Sequence, residues 1–134
     1  MARVEVVQEL FVSATSHIGL LAQVTDAVSA AGVDIHAIGA YDKDDRGEFM
    51  LITSDNEKAA VALGQIVGMK VERNDVVVVD LPARPGALAD AAKKLAHADI
   101  NVDWVYGTAS DGQHAMMVFK VADPFGAAEA LRAM

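Results

Sequence analysis

Two stretches of this chain carry the same pattern 67 residues apart, and that repeat restricts the fold more than any other feature. T-S-H-I-G-L-L-A-Q-V-T-D-A-V-S-A-A-G-V-D-I, from Thr15 to Ile35, is matched by P-A-R-P-G-A-L-A-D-A-A-K-K-L-A-H-A-D-I-N-V, from Pro82 to Val102. Gly19 aligns with Gly86, Leu21 with Leu88, Val28 with Leu95, Val33 with Ile100 and Ile35 with Val102. The agreement is one of pattern more than identity. Each half then runs through a polar turn (Asp42 to Gly47; Ser110 to Gly112) into an apolar stretch and a helical pattern opened by Asp55 or Asp123. A length of 134 residues fits one ordinary domain or two very small ones. The repeat selects two, divided as residues 1–73 and 74–134.

Val4 to Ala14 alternates and is rich in Val, Leu and Phe, which predicts a strand. Gly19 to Ala31 has apolar residues at helical spacing, and Gly32 follows where a helix C′ residue belongs. Val33 to Tyr41 and Glu48 to Ser54 read as strands around a charged turn. Asp55 is a fitting N-cap for a helix through Ile66, closed by Gly68. Met69 to Glu72 then reads as a short strand and Arg73-Asn74-Asp75 as a turn. The second copy opens with Asp75 to Leu81, whose V-V-V-V run predicts burial on both faces or nearly so. Its helix runs from about Gly86 to Ala98, and its hairpin joins Ile100 to Ala109 with Gln113 to Val121 through Ser110-Asp111-Gly112. Pro124 stands at the first position of the last helix, where a missing N–H costs nothing.

The order βαββαβ followed by βαββα predicts an α+β fold of two ferredoxin-like modules, each an antiparallel sheet with both helices on one face. The second module lacks its last strand. Its sheet is then three-stranded, or its edge is filled by the N-terminal segment, the other copy or another subunit.

The formal charge of −8 argues against a groove that tracks phosphates, and against an anionic membrane surface. RNA-binding modules of the same fold stack bases on strand aromatics, which the third strands here scarcely offer. With no cysteine, disulfides, thiolate chemistry and cysteine zinc sites are excluded. Met1 to Phe11 interleaves Arg3, Glu5 and Glu9 with apolar residues, unlike a signal peptide, so a cytoplasmic location is expected. No two of His17, His36, His97 and His114 have the i, i+4 spacing of an H-E-x-x-H site. D-K-D-D-R-G, around Asp42, Asp44 and Asp45, lacks the rest of a calcium loop. Neither a phosphate-binding P-loop nor G-x-S-x-G is present. No catalytic residue, metal site or cofactor is therefore assigned, and an enzyme is not expected.

L-P-A-R-P-G-A-L-A from Leu81 to Ala89, followed by A-D-I-N-V from Ala98 to Val102, resembles the ACT domain; S-A-T-S-H-I-G-L-L from Ser13 to Leu21, followed by A-G-V-D-I, is similar to it. The resemblance covers nearly the whole chain. It implies ferredoxin-like modules joined side by side that bind an amino acid at the interface between two modules, as a rule to regulate a metabolic enzyme. It places the ligand turn at Thr15, Ser16, His17, Ile18, Gly19 and Leu20 in the first copy and at Leu81 to Ala87, including Arg84, Gly86 and Ala87, in the second. The facing position is Asp34 in the first copy and Asn101 in the second. Family members that bind amino acids often carry Asn three residues before the turn glycine; here Ser16 and Ala83 stand there. Ser16 retains a hydrogen-bonding group and Ala83 does not, so the cleft of the first turn opposite Asn101 is the better candidate.

In that cleft the Ile18, Gly19 and Leu20 amides, at the positive end of a helix, would receive a carboxylate. Ser16 and Asn101 would add polar contacts, and Asp34 would suit an ammonium in the other cleft. The expected protein is a regulator that binds an amino acid or similar effector and forms a homodimer or larger assembly. The alternative is an interaction or oligomerisation module with no small-molecule ligand.

Overall fold

The N-terminal alternating segment forms strand β1 (Arg3–Thr15), in a computed structural model that describes residues 3–109 and 112–134. It is followed by α1 (Leu20–Ala30), β2 (Ile35–Lys43), β3 (Arg46–Thr53), α2 (Asn56–Gly64) and β4 (Lys70–Pro82). Then come α3 (Ala87–His97), β5 (Val102–Ala109), β6 (His114–Val121) and α4 (Pro124–Arg132). The six strands form an antiparallel sheet with hydrogen-bonded order β2-β3-β1-β4-β6-β5. This is the expected α+β, ferredoxin-like arrangement.

The chain divides into two compact units, residues 8–74 and residues 75–134 with the N-terminal segment up to Val7. The division falls inside β1 and inside β4, so each of these strands contributes one half to each unit.

In the unit of residues 8–74, β3 lies between β2 and β1. Leu10, Val12 and Ala14 alternate onto one face of β1 and pack with Phe49 and Leu51 against Leu20, Val24 and Val28 of α1 and Ala59, Ala60 and Leu63 of α2. Each fully buried leucine removes apolar surface worth about 1.5–3 kcal/mol. Lys43 pairs with Arg46 across a two-residue turn in which Asp44 and Asp45 both have positive φ. Glu9 stands on the polar side of the β1 alternation and is nevertheless fully buried.

In the other unit, β6 lies between β4 and β5. Val77, Val79 and Leu81 pack with Phe119 and Val121 against Ala87, Ala91 and Leu95 of α3 and Ala127, Ala128 and Leu131 of α4. Val4 belongs to the same core, and Arg132 Nη2 donates to its carbonyl at 3.2 Å. Residues 3–7 therefore supply the strand that the second module lacks, one of the three sources considered from the sequence.

Helix ends follow their capping residues. Asp55 Oδ1 accepts from the Lys58 amide and Asp123 Oδ1 from the Gly126 amide, with Pro124 in the first turn. Beyond α1, Gly32 is left-handed with φ 75°; its N–H donates to the Ser29 carbonyl and that of Val33 to the Val28 carbonyl. These two bonds make a Schellman end.

Two expectations are corrected. Met69 to Glu72, Arg73-Asn74-Asp75 and Asp75 to Leu81 are not strand, turn and strand, but lie almost wholly within the single strand β4. The polar triplet has turn composition, yet pairing within the sheet outweighs that local preference. The helix begun at Asp55 ends at Gly64, before Ile66, and Gly68 takes its positive φ in the turn that follows. Of the second hairpin turn, Ser110 and Asp111 lie outside the described residues.

Candidate functional site

The turn after β1 is pinned at three points. The Ser16 amide donates to the Asp45 carbonyl at 2.8 Å, tying it to the β2–β3 hairpin. Ser16 Oγ donates to Asp42 Oδ2 at 2.7 Å. Leu20 is buried over Gly47, where a Cβ would run into the leucine side chain. Gly19 has φ 94°, a conformation that glycine adopts without strain, and its carbonyl accepts from Gln23.

These constraints leave the turn exposed and short of partners for its donors. Ile18 is fully exposed, and His17 is exposed with Nδ1 3.0 Å from the Ile18 carbonyl oxygen. Of the three amides expected to receive a carboxylate, that of Leu20 already donates to the His17 carbonyl at 3.2 Å. The Ile18 and Gly19 amides have no protein acceptor among the described residues. The Ser16 hydroxyl is likewise committed as a donor, so what it and Asp42 present to a ligand is acceptor character. From the sequence Asp42 reads only as part of a charged turn that lacks the rest of a calcium loop. A bond spanning 26 residues leaves no local signal.

The corresponding turn after β4 has the same backbone plan. The Ala83 amide donates to the Gln113 carbonyl at 2.7 Å, Gly86 has φ 89°, and Ala87 is buried at the start of α3. Arg84 reaches forward, with Nη2 3.2 Å from Asp90 Oδ2 and Nη1 donating to the Pro85 carbonyl at 3.1 Å. Ala83 offers no side-chain counterpart of the Ser16 hydroxyl.

Within one unit the facing position does not meet the turn. Asp34 precedes β2, with its amide on Ser54 Oγ and its carboxylate 3.9 Å from His36 Nε2, whereas Asp42 and the Ser16 turn lie at the far end of that strand. Eight residues of strand separate them by roughly 26 Å. Asn101, exposed before β5, is likewise at the opposite end of its strand from the hairpin that holds Ala83. Thr15 closes β1 opposite Arg46.

Among the described residues no cluster of three His, Asp or Glu is arranged to hold a metal ion. No helix is long and apolar enough to cross a membrane.

Two ferredoxin-like modules in one chain, each with a glycine turn leading from a strand into a buried helix, define a tandem-module protein. The family of ACT domain pairs matches residues 5–132, and the chain belongs to that family. No curated protein sequence matches it. Protein BT0572 from Bacteroides thetaiotaomicron is similar to it at 25% identity and a TM-score of 0.88, over 97% of this chain and 89% of that one. The ligand-free regulatory subunit of aspartate kinase from Thermus thermophilus gives a TM-score of 0.74 at 14% identity, over 98% and 95% of the two chains. E. coli aspartokinase III, in complex with aspartate and ADP, gives 0.62 at 12% identity, over 98% of this chain and 32% of that one. The likeness to the two kinase structures is one of fold.

Proposed function

We propose that this protein is a non-enzymatic, cytoplasmic regulator that binds a free amino acid or a similar zwitterion where two ACT modules meet. The reading is carried by the turn after β1, which offers two donors without acceptors, the Ile18 and Gly19 amides, beside an acceptor pair, Ser16 and Asp42. A zwitterion needs both kinds of group a few ångströms apart. Its carboxylate would take the amides at the positive helix end, and its ammonium would take the Asp42 side. Asn101 of a facing module would close the site, in keeping with its place at the far end of β5 from its own unit's hairpin.

Exposed apolar residues support assembly with a second copy of the chain. Leu21 and Ile38 in one unit and Leu88 and Val105 in the other are among the large hydrophobics left in water, and Leu21 matches Leu88, and Ile38 matches Val105, at the same offset of 67 residues. They stand on the first helix and the edge strand of their units, surfaces that a module docking on the edge would cover. A regulator of this kind would act on a metabolic enzyme, as the regulatory subunit of aspartate kinase does by its name.

The test is a thermal-shift screen of the twenty amino acids followed by calorimetry, because a ligand that prefers the native state raises the melting temperature. One or a few amino acids should bind with micromolar to millimolar affinity, and Ser16→Ala and Asn101→Ala should each weaken it. No shift with any amino acid at about 10 mM, or unchanged affinity in both variants, would overturn the proposal in favour of an interaction module without a ligand.

A further inference from the structure

A cleft of about 690 Å³ runs along α3 in the second unit, and its lining reverses the charge of the chain. Arg3, Arg84, Lys93 and Lys94 face the Asp80 and Asp90 side chains, so with its histidines counted neutral the lining side chains carry +2 where the side chains of the chain as a whole sum to −8. His97 and His114 also line it, with His114 Nδ1 3.5 Å from Asp80 Oδ1.

The cations are unequally committed. Arg84 is held by Asp90 at 3.2 Å and Arg3 by Glu5 at 3.0 Å. Lys93 and Lys94, neighbours on α3, have no acceptor among the described residues, although the chain holds 19 carboxylates. Lys94 stands in the last turn of α3, where a cation suits the helix dipole, and both lysines follow Asp90 by three or four residues, yet neither side chain closes an ion pair with it.

The internal repeat shows that the fold does not require this charge. At the equivalent positions of the first module Lys93 is replaced by Asp26, Lys94 by Ala27 and Arg84 by His17. One scaffold thus appears twice, and Lys93, Lys94 and Arg84 of this cleft have no Lys or Arg at the equivalent positions of the first copy. The floor is apolar, with buried Leu81 and Ala87 and half-buried Met134. The volume is that of a small-molecule site.

We infer that this cleft binds a small organic polyanion, a molecule with an apolar or neutral body and two or more phosphate or carboxylate charges. Lys93 and Lys94 supply the uncommitted charge, and Arg84, released from Asp90, adds a planar donor pair. The site and its ligand class are separate from the amino-acid turn at Ser16.

Calorimetry on the full chain at constant ionic strength, with inorganic pyrophosphate and with citrate, tests this. At least one should bind with a dissociation constant below about 10 mM. Pyrophosphate the tighter would assign a phosphorylated ligand, and citrate the tighter a polycarboxylate. The double variant Lys93→Gln/Lys94→Gln should weaken binding by about tenfold or more. Lys43→Gln/Lys58→Gln changes the net charge equally outside the cleft and should leave binding unchanged. All four lysines are exposed, so folding should survive in both variants. Binding of neither probe below that limit, or equal loss in the two double variants, would overturn the inference, whatever the amino-acid screen returns.

Discussion

Ser16 Oγ donates a 2.7 Å hydrogen bond to Asp42 Oδ2, joining the turn after β1 to the end of β2. An exposed bond of this kind contributes about 1 kcal/mol or less to stability, so its importance lies in what it orients. Asp42→Asn keeps the shape and removes the negative charge. It should leave the fold intact and weaken an amino-acid effector by about tenfold, the loss expected where a charge-assisted bond becomes a neutral one. Calorimetry with the amino acid found by screening, on wild type and Asp42→Asn, is the measurement.

Residues 3–7 complete the second unit, with Val4 buried at 7% exposure in a core built otherwise from residues beyond 75. Val4→Ala should cost about 1–2 kcal/mol from lost burial and the remaining cavity. Removing residues 1–7 should cost far more, because it also uncovers the hydrogen-bonding edge of β4. Hydrogen exchange should then show loss of protection concentrated in β4, β6 and α4.

Elements whose signals are local were legible in the sequence. Gly32, Asp55 and Asp123 announce helix ends through backbone conformation or a side chain that reaches only two or three residues. The repeat exposed the two modules because aligned apolar positions pack in the same way. What was hidden depends on distant pairing. Arg73-Asn74-Asp75 has turn composition, and only its neighbours in the sheet keep it extended in β4. The source of the missing strand lay outside the second copy altogether. At the site, the Ser16 and Gly19 turn was found from its motif, whereas the Asp42 partnership and the committed Leu20 amide follow from how the hairpin folds back.

Asp99 occupies the position of Gly32 in the second module, with φ 61° where the glycine has 75°. The Asp99 and Ile100 amides donate to the Ala96 and Leu95 carbonyls, the same helix-ending pair as at Gly32. A side chain in this conformation costs about 1–2 kcal/mol, a little less for Asp, and glycine avoids most of it. Asp99→Gly should therefore stabilise the protein by about 0.5–1 kcal/mol, and Gly32→Ala should destabilise it by about 1 kcal/mol. Denaturant midpoints at constant slope decide both.

Tyr41 and Glu48 stand opposite each other on β2 and β3, and the phenol is held above its ordinary value of 10.0. Partial burial is the first cause, followed by the charge of Glu48 and a hydrogen bond to it. Both Glu48 effects favour the neutral phenol. Because the folded value is the higher one, the stabilising contribution is complete below the unfolded value and is lost as pH rises through the folded value. The window thus opens above pH 10.0. Absorbance titration should show one phenolate that forms late, absent from Tyr41→Phe and shifted back down in Glu48→Gln. Over the same range the stability of wild type should fall more steeply than that of Tyr41→Phe. Equal slopes would mean that Tyr41 titrates alike in the folded and unfolded chains.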